Sequence, residues 1–217
     1  MLNHIESALT LHTLGTPAAL VVKRTCLAGV LPKVSISVAE ILLTEDQIQE
    51  RVRALAAQIS NDYANTQDLI MIGVLKGAFM FLSDLAKHLS IPRSVEFIAV
   101  SSYASGSVAS DSVRMVMDIR RDIRDQDILI VEDIADSGRT LRYLQDLLAT
   151  RHPRSMRTCV LARKPARMKV DAAVDYLGFD IPDRWVVGYG LDYAEQLRTL
   201  PYIGAIEPPD GGPSDEQ

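Results

Sequence analysis

The chain has 217 residues, enough for one ordinary domain with a full hydrophobic core and short for two. Its 47% apolar and 24% charged residues are those of a globular protein, which sets aside disordered and fibrous classes. A net charge of −5 provides no overall basic field for nucleic acid, and no apolar run approaches the roughly 18 residues needed to span a bilayer.

Cys26 and Cys159 stand far apart, without a CxxC or a histidine companion. That pattern offers neither a zinc site nor a disulfide framework, so two reduced thiols in a cytoplasmic protein are expected. The first 37 residues show no sustained period; Lys23 and Arg24 interrupt their apolar stretch, so they are an extension of unknown role.

Regular patterning begins with LLTEDQIQERVRALAAQI, where Thr44 and Gln47 form a capping box and Ile48, Val52, Leu55 and Ile59 recur at helical spacing. A helix over about 45–63 is predicted. DLIMIGVL (68–75) is a short buried strand, followed by KGAFMFLSDLAKHL (76–89), whose apolar residues fit a helix ending before Pro92. VEFIAVSSY (95–103) is a second buried strand. The small, polar segment 104–112 then leads into VRMVMDI, which together predict a hairpin with a long mobile tip.

DILIVED (127–133) is another strand, running through IADSGRT into a helix at 141–149, and SMRTCVLARK (155–164) is a further strand. Strands alternating with helices imply an α/β fold with a mostly parallel sheet covered on both faces. Residues 174–204 hold short strands and turns, expected as a small lobe over the sheet edge. The Pro/Gly/acidic tail 207–217 should be disordered.

The stretch ILIVEDIADSGRTL (128–141) carries the most chemistry. A buried strand ends in two carboxylates, a loop of small residues follows, and a helix begins; ligands of open α/β sheets bind at such places. The helix N-terminus presents unpaired amides and the positive end of its dipole, and Ser137, Gly138 and Thr140 let a phosphate approach. Glu132 and Asp133 would repel a bare phosphate but suit sugar hydroxyls and a magnesium ion. Phosphate on one side with diol and metal on the other describes a ribose 5-phosphate.

VEDIADSGRTL resembles the phosphoribosyl pyrophosphate signature of the type I phosphoribosyltransferases, with Arg139 where lysine is common and Ser137 where threonine is frequent. Over about residues 38–206 the chain is similar to the hypoxanthine-guanine branch in particular. The resemblance implies a phosphoribosyltransferase fold with a base-binding hood, and Mg2+ held by Glu132, Asp133 and Asp192. It implies that Leu75, Lys76 and Gly77 form the family's pyrophosphate loop, with a cis bond between Leu75 and Lys76, joined on the pyrophosphate by Arg198. Ser102 and Tyr103 match the pair that opens the mobile loop, which closes over the reacting centre and excludes water.

By the same resemblance Lys164, 21 residues before Trp185, donates to the purine 6-oxo group. Trp185 stacks on the base, the Val186 backbone reads the ring edge, Asp192 lies in the base lobe, and Asp136 accepts the purine N7 proton. The implied substrates are phosphoribosyl pyrophosphate and a 6-oxopurine base, with hypoxanthine, guanine and xanthine undistinguished; the implied assembly is a homodimer or homotetramer. A regulator retaining the fold would also need the phosphate loop. It would not need Asp136 or the closing loop.

Overall fold

The computed structural model describes residues 37–103 and 112–207. The extension 1–37 (but for Ser37), the tail 207–217 (but for Glu207) and the loop tip 104–111 lie outside the described residues.

Nine strands and three α-helices are present among the described residues: β1 (Val38–Leu43), α1 (Glu45–Asp62), β2 (Leu69–Leu75), α2 (Phe79–His88), β3 (Arg93–Tyr103), β4 (Ser112–Met117), β5 (Asp127–Ala135), α3 (Arg139–Ala149), β6 (Ser155–Arg163), β7 (Tyr176–Asp180), β8 (Trp185–Val187) and β9 (Ile203–Ile206). The main sheet runs β4-β3-β2-β5-β6-β7, parallel throughout except for the β3–β4 pair. That pair is the expected hairpin, with Ala99 opposite Met117 and Tyr103 opposite Ser112.

Alternation along the strands sorts the core into two layers. Leu69, Met71, Leu129 and Val131 pack with Ile48, Val52, Leu55 and Ile59 of α1 and Phe81 and Leu85 of α2. On the opposite face Ile70, Ile72, Ile128 and Ile130 pack with Leu141, Leu144 and Leu148 of α3. Both faces of the central strands are therefore covered, which is why they read as unbroken apolar runs. No helix among the described residues is long and apolar enough to cross a membrane. Cys159 is a buried free thiol, and burial pushes its pKa up.

α1 starts as expected, with the Thr44 hydroxyl accepting from the Gln47 amide (3.3 Å) and the Gln47 side chain accepting from the Thr44 amide (2.9 Å). The helix expected over 76–89 begins at Phe79, because Lys76–Ala78 form a connecting loop. Residues 38–43, to which the sequence pattern assigns no element, form β1, which pairs with β9 across the length of the chain in a small antiparallel sheet of order β1-β9-β8. Most of β1 is exposed or half-buried and its register slips twice, so no alternation marks it in the sequence. Val186 and Ile203 of this lobe join the core layer of α1 and α2.

Candidate active site

In the order β4-β3-β2-β5-β6-β7 the chain passes from β2 to β3 in one direction and from β5 to β6 in the other. The carboxyl ends of β2 and β5 therefore flank the point where the winding reverses, the crevice in which open α/β sheets hold ligands. Pairing between them stops at Gly73 and Val131, and beyond it come Leu75-Lys76-Gly77 on one side and Glu132–Gly138 on the other. The Leu75–Lys76 peptide is cis.

The loop after β5 passes into α3 through Gly138. Gly138 has φ +80 and immediately precedes α3, a conformation that L side chains avoid. A Cβ there would also meet the Val170 carbonyl oxygen at 2.9 Å. No side chain caps α3 and no acidic residue lies in its first turn, so its N-terminus suits an anion. Ser137 supports the loop: its carbonyl accepts from the amides of Lys169 (3.0 Å) and Val170 (3.3 Å). Arg139 and Thr140 form the first turn of the helix.

Two residues before Gly138, Asp136 is gripped by two cations. Lys164 Nζ, buried at the end of β6, donates to its Oδ2 (3.2 Å), and Arg167 Nε stands 2.6 Å from Oδ1. That contact is an ion pair, and Oδ1 is a buried acceptor with no hydrogen bond. These three side chains, with Asp183, Arg184 and Trp185, line a pocket of about 210 Å³. That is below the about 300–1,000 Å³ of drug-sized sites and suits one flat ring system. Trp185 is held edge-on by Tyr193, ring centroids 6.3 Å apart. Val186 is buried in β8, paired with Ala205.

A third group gathers over Lys76. Its Nζ pairs with Glu195 (2.9 Å), while Arg198 pairs with Asp192 (2.7 Å) and Glu195 (3.2 Å) and donates to the Gly190 carbonyl (2.9 Å). Asp192 thus sits with the cations of this cluster and is not among the residues lining the Trp185 pocket. Glycines allow the segments to meet. A Cβ on Gly77 would fall 1.6 Å from an Asp133 carboxylate oxygen, and one on Gly190 would fall 1.9 Å from the Gly77 carbonyl oxygen. Ser102 and Tyr103 end β3, opposite Val113 and Ser112, at the base of the expected mobile loop.

The phosphoribosyl transferase domain family matches residues 39–194. The hypoxanthine-guanine phosphoribosyltransferase of Mycobacterium tuberculosis (strain CDC 1551 / Oshkosh) is 51% identical over 176 residues, 79% of this chain and 87% of that protein. This chain belongs to the hypoxanthine-guanine phosphoribosyltransferase family. A solved hypoxanthine-guanine phosphoribosyltransferase from Bacillus anthracis, with a HEPES molecule in its active site, superposes with a TM-score of 0.74 at 39% identity, covering 78% of this chain and 99% of that one. A Trypanosoma cruzi hypoxanthine phosphoribosyl transferase gives 0.75 at 39% identity, covering 82% and 95%.

Within this member of the hypoxanthine-guanine phosphoribosyltransferases, Glu132 and Asp133 are both buried. Burial, and next the neighbouring Asp133 charge, push the Glu132 pKa well above the carboxylate range; burial lifts Asp133 to about 6 despite the opposing pull of its backbone hydrogen bonds and of Arg198. Glu132 Oε2 is buried without a hydrogen bond. Two crowded carboxylates with an orphaned oxygen fit a hard divalent cation. Among the described residues no three His, Cys, Asp or Glu cluster as a metal cage, so such an ion would draw its other oxygens from substrate and water, as magnesium commonly does.

A stability consequence follows from the sign of these shifts. Folded-state pKa values raised above the unfolded ones help the metal-free fold below the ordinary carboxylate range, and that help is lost as pH rises through the raised values, about 6 for Asp133. Glu132→Gln, measured by thermal denaturation without metal, should raise the melting temperature at pH 8 by on the order of 3–6 °C, with the gain gone at pH 4. A variant less stable than the parent at pH 8 would contradict the buried-charge account.

Sequence reasoning passed over Arg167, Glu195 and Gly190. Arg167 reaches Asp136 from the short 3-10 turn Pro165–Arg167, whose geometry only the fold displays. Gly190 had a visible signal in the Gly188-Tyr189-Gly190 run, where both glycines take positive φ. Glu195 had none, as an acidic residue in a polar loop is usually solvated.

Proposed function

We propose that the protein transfers the 5-phosphoribosyl group of phosphoribosyl pyrophosphate to hypoxanthine or guanine, giving IMP or GMP and pyrophosphate, with Mg2+ as the metal. The observation that carries this reading is Asp136, which has one carboxylate oxygen tied to Lys164 and the other beside the Arg167 guanidinium without accepting a hydrogen bond, at the junction of a ring-sized pocket and a helix start suited to phosphate.

In this reading the 5-phosphate rests on the amides of Ser137–Thr140 at α3, and Glu132 and Asp133 hold the ribose hydroxyls. The base lies against Trp185, the Val186 backbone reads its edge, and Lys164 donates to the 6-oxo oxygen, which a 6-amino group could not accept. Asp136 takes the N7 proton as N9 attacks the anomeric carbon. Lys76, Gly77 and Arg198 receive the pyrophosphate, whose negative charge grows as the bond to the ribose lengthens. Magnesium, held near Glu132, Asp133 and Asp192, would neutralise part of that charge. Closure of the loop that starts at Ser102 and Tyr103 keeps water from the cationic ribose.

Residues 38–206 act as the catalytic domain, flanked by the extension and the tail. The reduced Cys159 suits a cytoplasmic enzyme. Phe79, Val95, Phe97 and Met117 leave an apolar surface exposed beside α2 and the β3–β4 hairpin, and a second copy of the chain covering it would give the expected homodimer or homotetramer.

The test incubates the purified protein with phosphoribosyl pyrophosphate, Mg2+ and, separately, hypoxanthine, guanine, xanthine and adenine, with chromatography of the nucleotides. Product from hypoxanthine or guanine, absent with adenine and after chelation of the metal, is expected. No product from any base would sink the proposal.

A further inference from the structure

The two cations read above as receiving pyrophosphate already hold an anion from the chain itself. Glu195 places Oε2 2.9 Å from Lys76 Nζ and Oε1 3.2 Å from Arg198 Nη2, so one carboxylate bridges both. Lys76 comes from the loop after β2 and Arg198 from beyond β8, and their joint partner lies 119 residues after the first and three before the second.

The backbone under Glu195 is unusual for the residue it carries. Tyr193 and Gln196 exchange backbone hydrogen bonds (3.2 and 3.0 Å), closing a two-residue turn in which Ala194 has φ +49 and Glu195 φ +62. Two positive φ values at the centre of such a turn call for Asn-Gly or Gly-Gly. A glutamate there is disfavoured by the turn, so its side chain must supply the reason for it. The Asp192 carboxylate fixes the turn by accepting from the Glu195 amide (2.7 Å), while its other oxygen pairs with Arg198 (2.7 Å). Arg198 Nε remains buried with no hydrogen bond, a donor that neither carboxylate uses.

We propose that Glu195 is an internal stand-in for pyrophosphate: its carboxylate occupies Lys76 and Arg198 while the leaving-group site is empty, gives way to the pyrophosphate of the substrate, and returns to help expel the product. The inference rests on the reading of Lys76 and Arg198 given above. Glu195 and Lys76 side chains are each 65% exposed, so the internal contact is weak enough to be exchanged in every turnover. A buried ion pair would bind too firmly for that role. The device lowers affinity for pyrophosphoryl ligands in general and does not touch the base.

Titration calorimetry of inorganic pyrophosphate with Mg2+ into the full chain tests it, alongside steady-state kinetics. Glu195→Gln should tighten pyrophosphate binding and lower KM for phosphoribosyl pyrophosphate by roughly three- to tenfold, the scale of one competing exposed charge, with KM for the base unmoved. In a Lys76→Met background the gain from Glu195→Gln should shrink, since one of the two contested cations is gone. Unchanged or weaker pyrophosphate binding by Glu195→Gln, or an undiminished gain in the Lys76→Met background, would overturn the inference while leaving the proposed reaction intact. Failure of the unaltered protein to bind pyrophosphate at all would instead remove the assignment of Lys76 and Arg198, and the inference with it.

Discussion

Asp136→Asn should lower kcat by about 10²–10⁴-fold, the usual worth of a positioned general base, while the KM values for both substrates move little. Asparagine is nearly isosteric and its carbonyl can still accept from Lys164, so the pocket keeps its shape. What it lacks is the ability to take a proton. Oδ1, which faces the Arg167 guanidinium and accepts no hydrogen bond, is the acceptor that a purine N7–H would meet, and the amide that replaces the carboxylate cannot hold that proton. Saturating both substrates in a single-turnover experiment isolates the chemical step. A loss carried wholly by KM, or smaller than tenfold, would show that Asp136 orients the base without accepting its proton. Because the buried Lys164 loses its counter-charge in this variant, a thermal melt should accompany the kinetics.

Lys164→Met should cost about 10²–10³-fold in kcat/KM with hypoxanthine, the range for removing one preorganised donor, and should erase most of the preference over adenine. Methionine has similar length and no charge, and Asp136 keeps Arg167 beside it, so no carboxylate is stranded. Lys164 is a buried donor in the pocket, its ammonium 3.2 Å from Asp136. Comparing kcat/KM for hypoxanthine and adenine in parent and variant measures the discrimination directly. If the ratio stayed constant while both rates fell together, Lys164 would be serving Asp136 and not the 6-oxo group.

The parts of this molecule legible in its sequence are those whose determinants are local. β2 and β5 are buried on both faces and announce themselves as apolar runs; the capping box of α1 and the glycine before α3 mark their helices through backbone chemistry that neighbours alone dictate. The motif at 132–140 was readable because a strand end, a tight turn and a helix start are each enforced within a few residues. β1 was not readable, since its strand character comes from Ile203–Ile206 at the other end of the chain. Nor could Lys76 be seen in a loop from periodicity alone, because KGAFMF continues the apolar spacing of α2 without a break. The grip of Arg167 on Asp136 and the bridge made by Glu195 arise from tertiary placement, and only the folded chain reveals them.

The contacts among Gly77, Asp133 and Gly190 bind three stretches of chain into one mechanical joint. In the proposed function each belongs to a different part: the leaving-group loop, the strand end that holds the ribose, and the lobe that carries Trp185. Gly77 has no side chain to hold off the Asp133 carboxylate and Gly190 none to hold off the Gly77 carbonyl, so a shift of any one is passed to the others across a van der Waals gap. Under the proposed reaction, leaving group and base would therefore share one continuous wall, and seating one should adjust the wall of the other. Inhibitor chemistry should notice this, because a compound that spans both halves meets a surface that is already continuous, whereas one filling a single half leaves the joint to decide how well it fits.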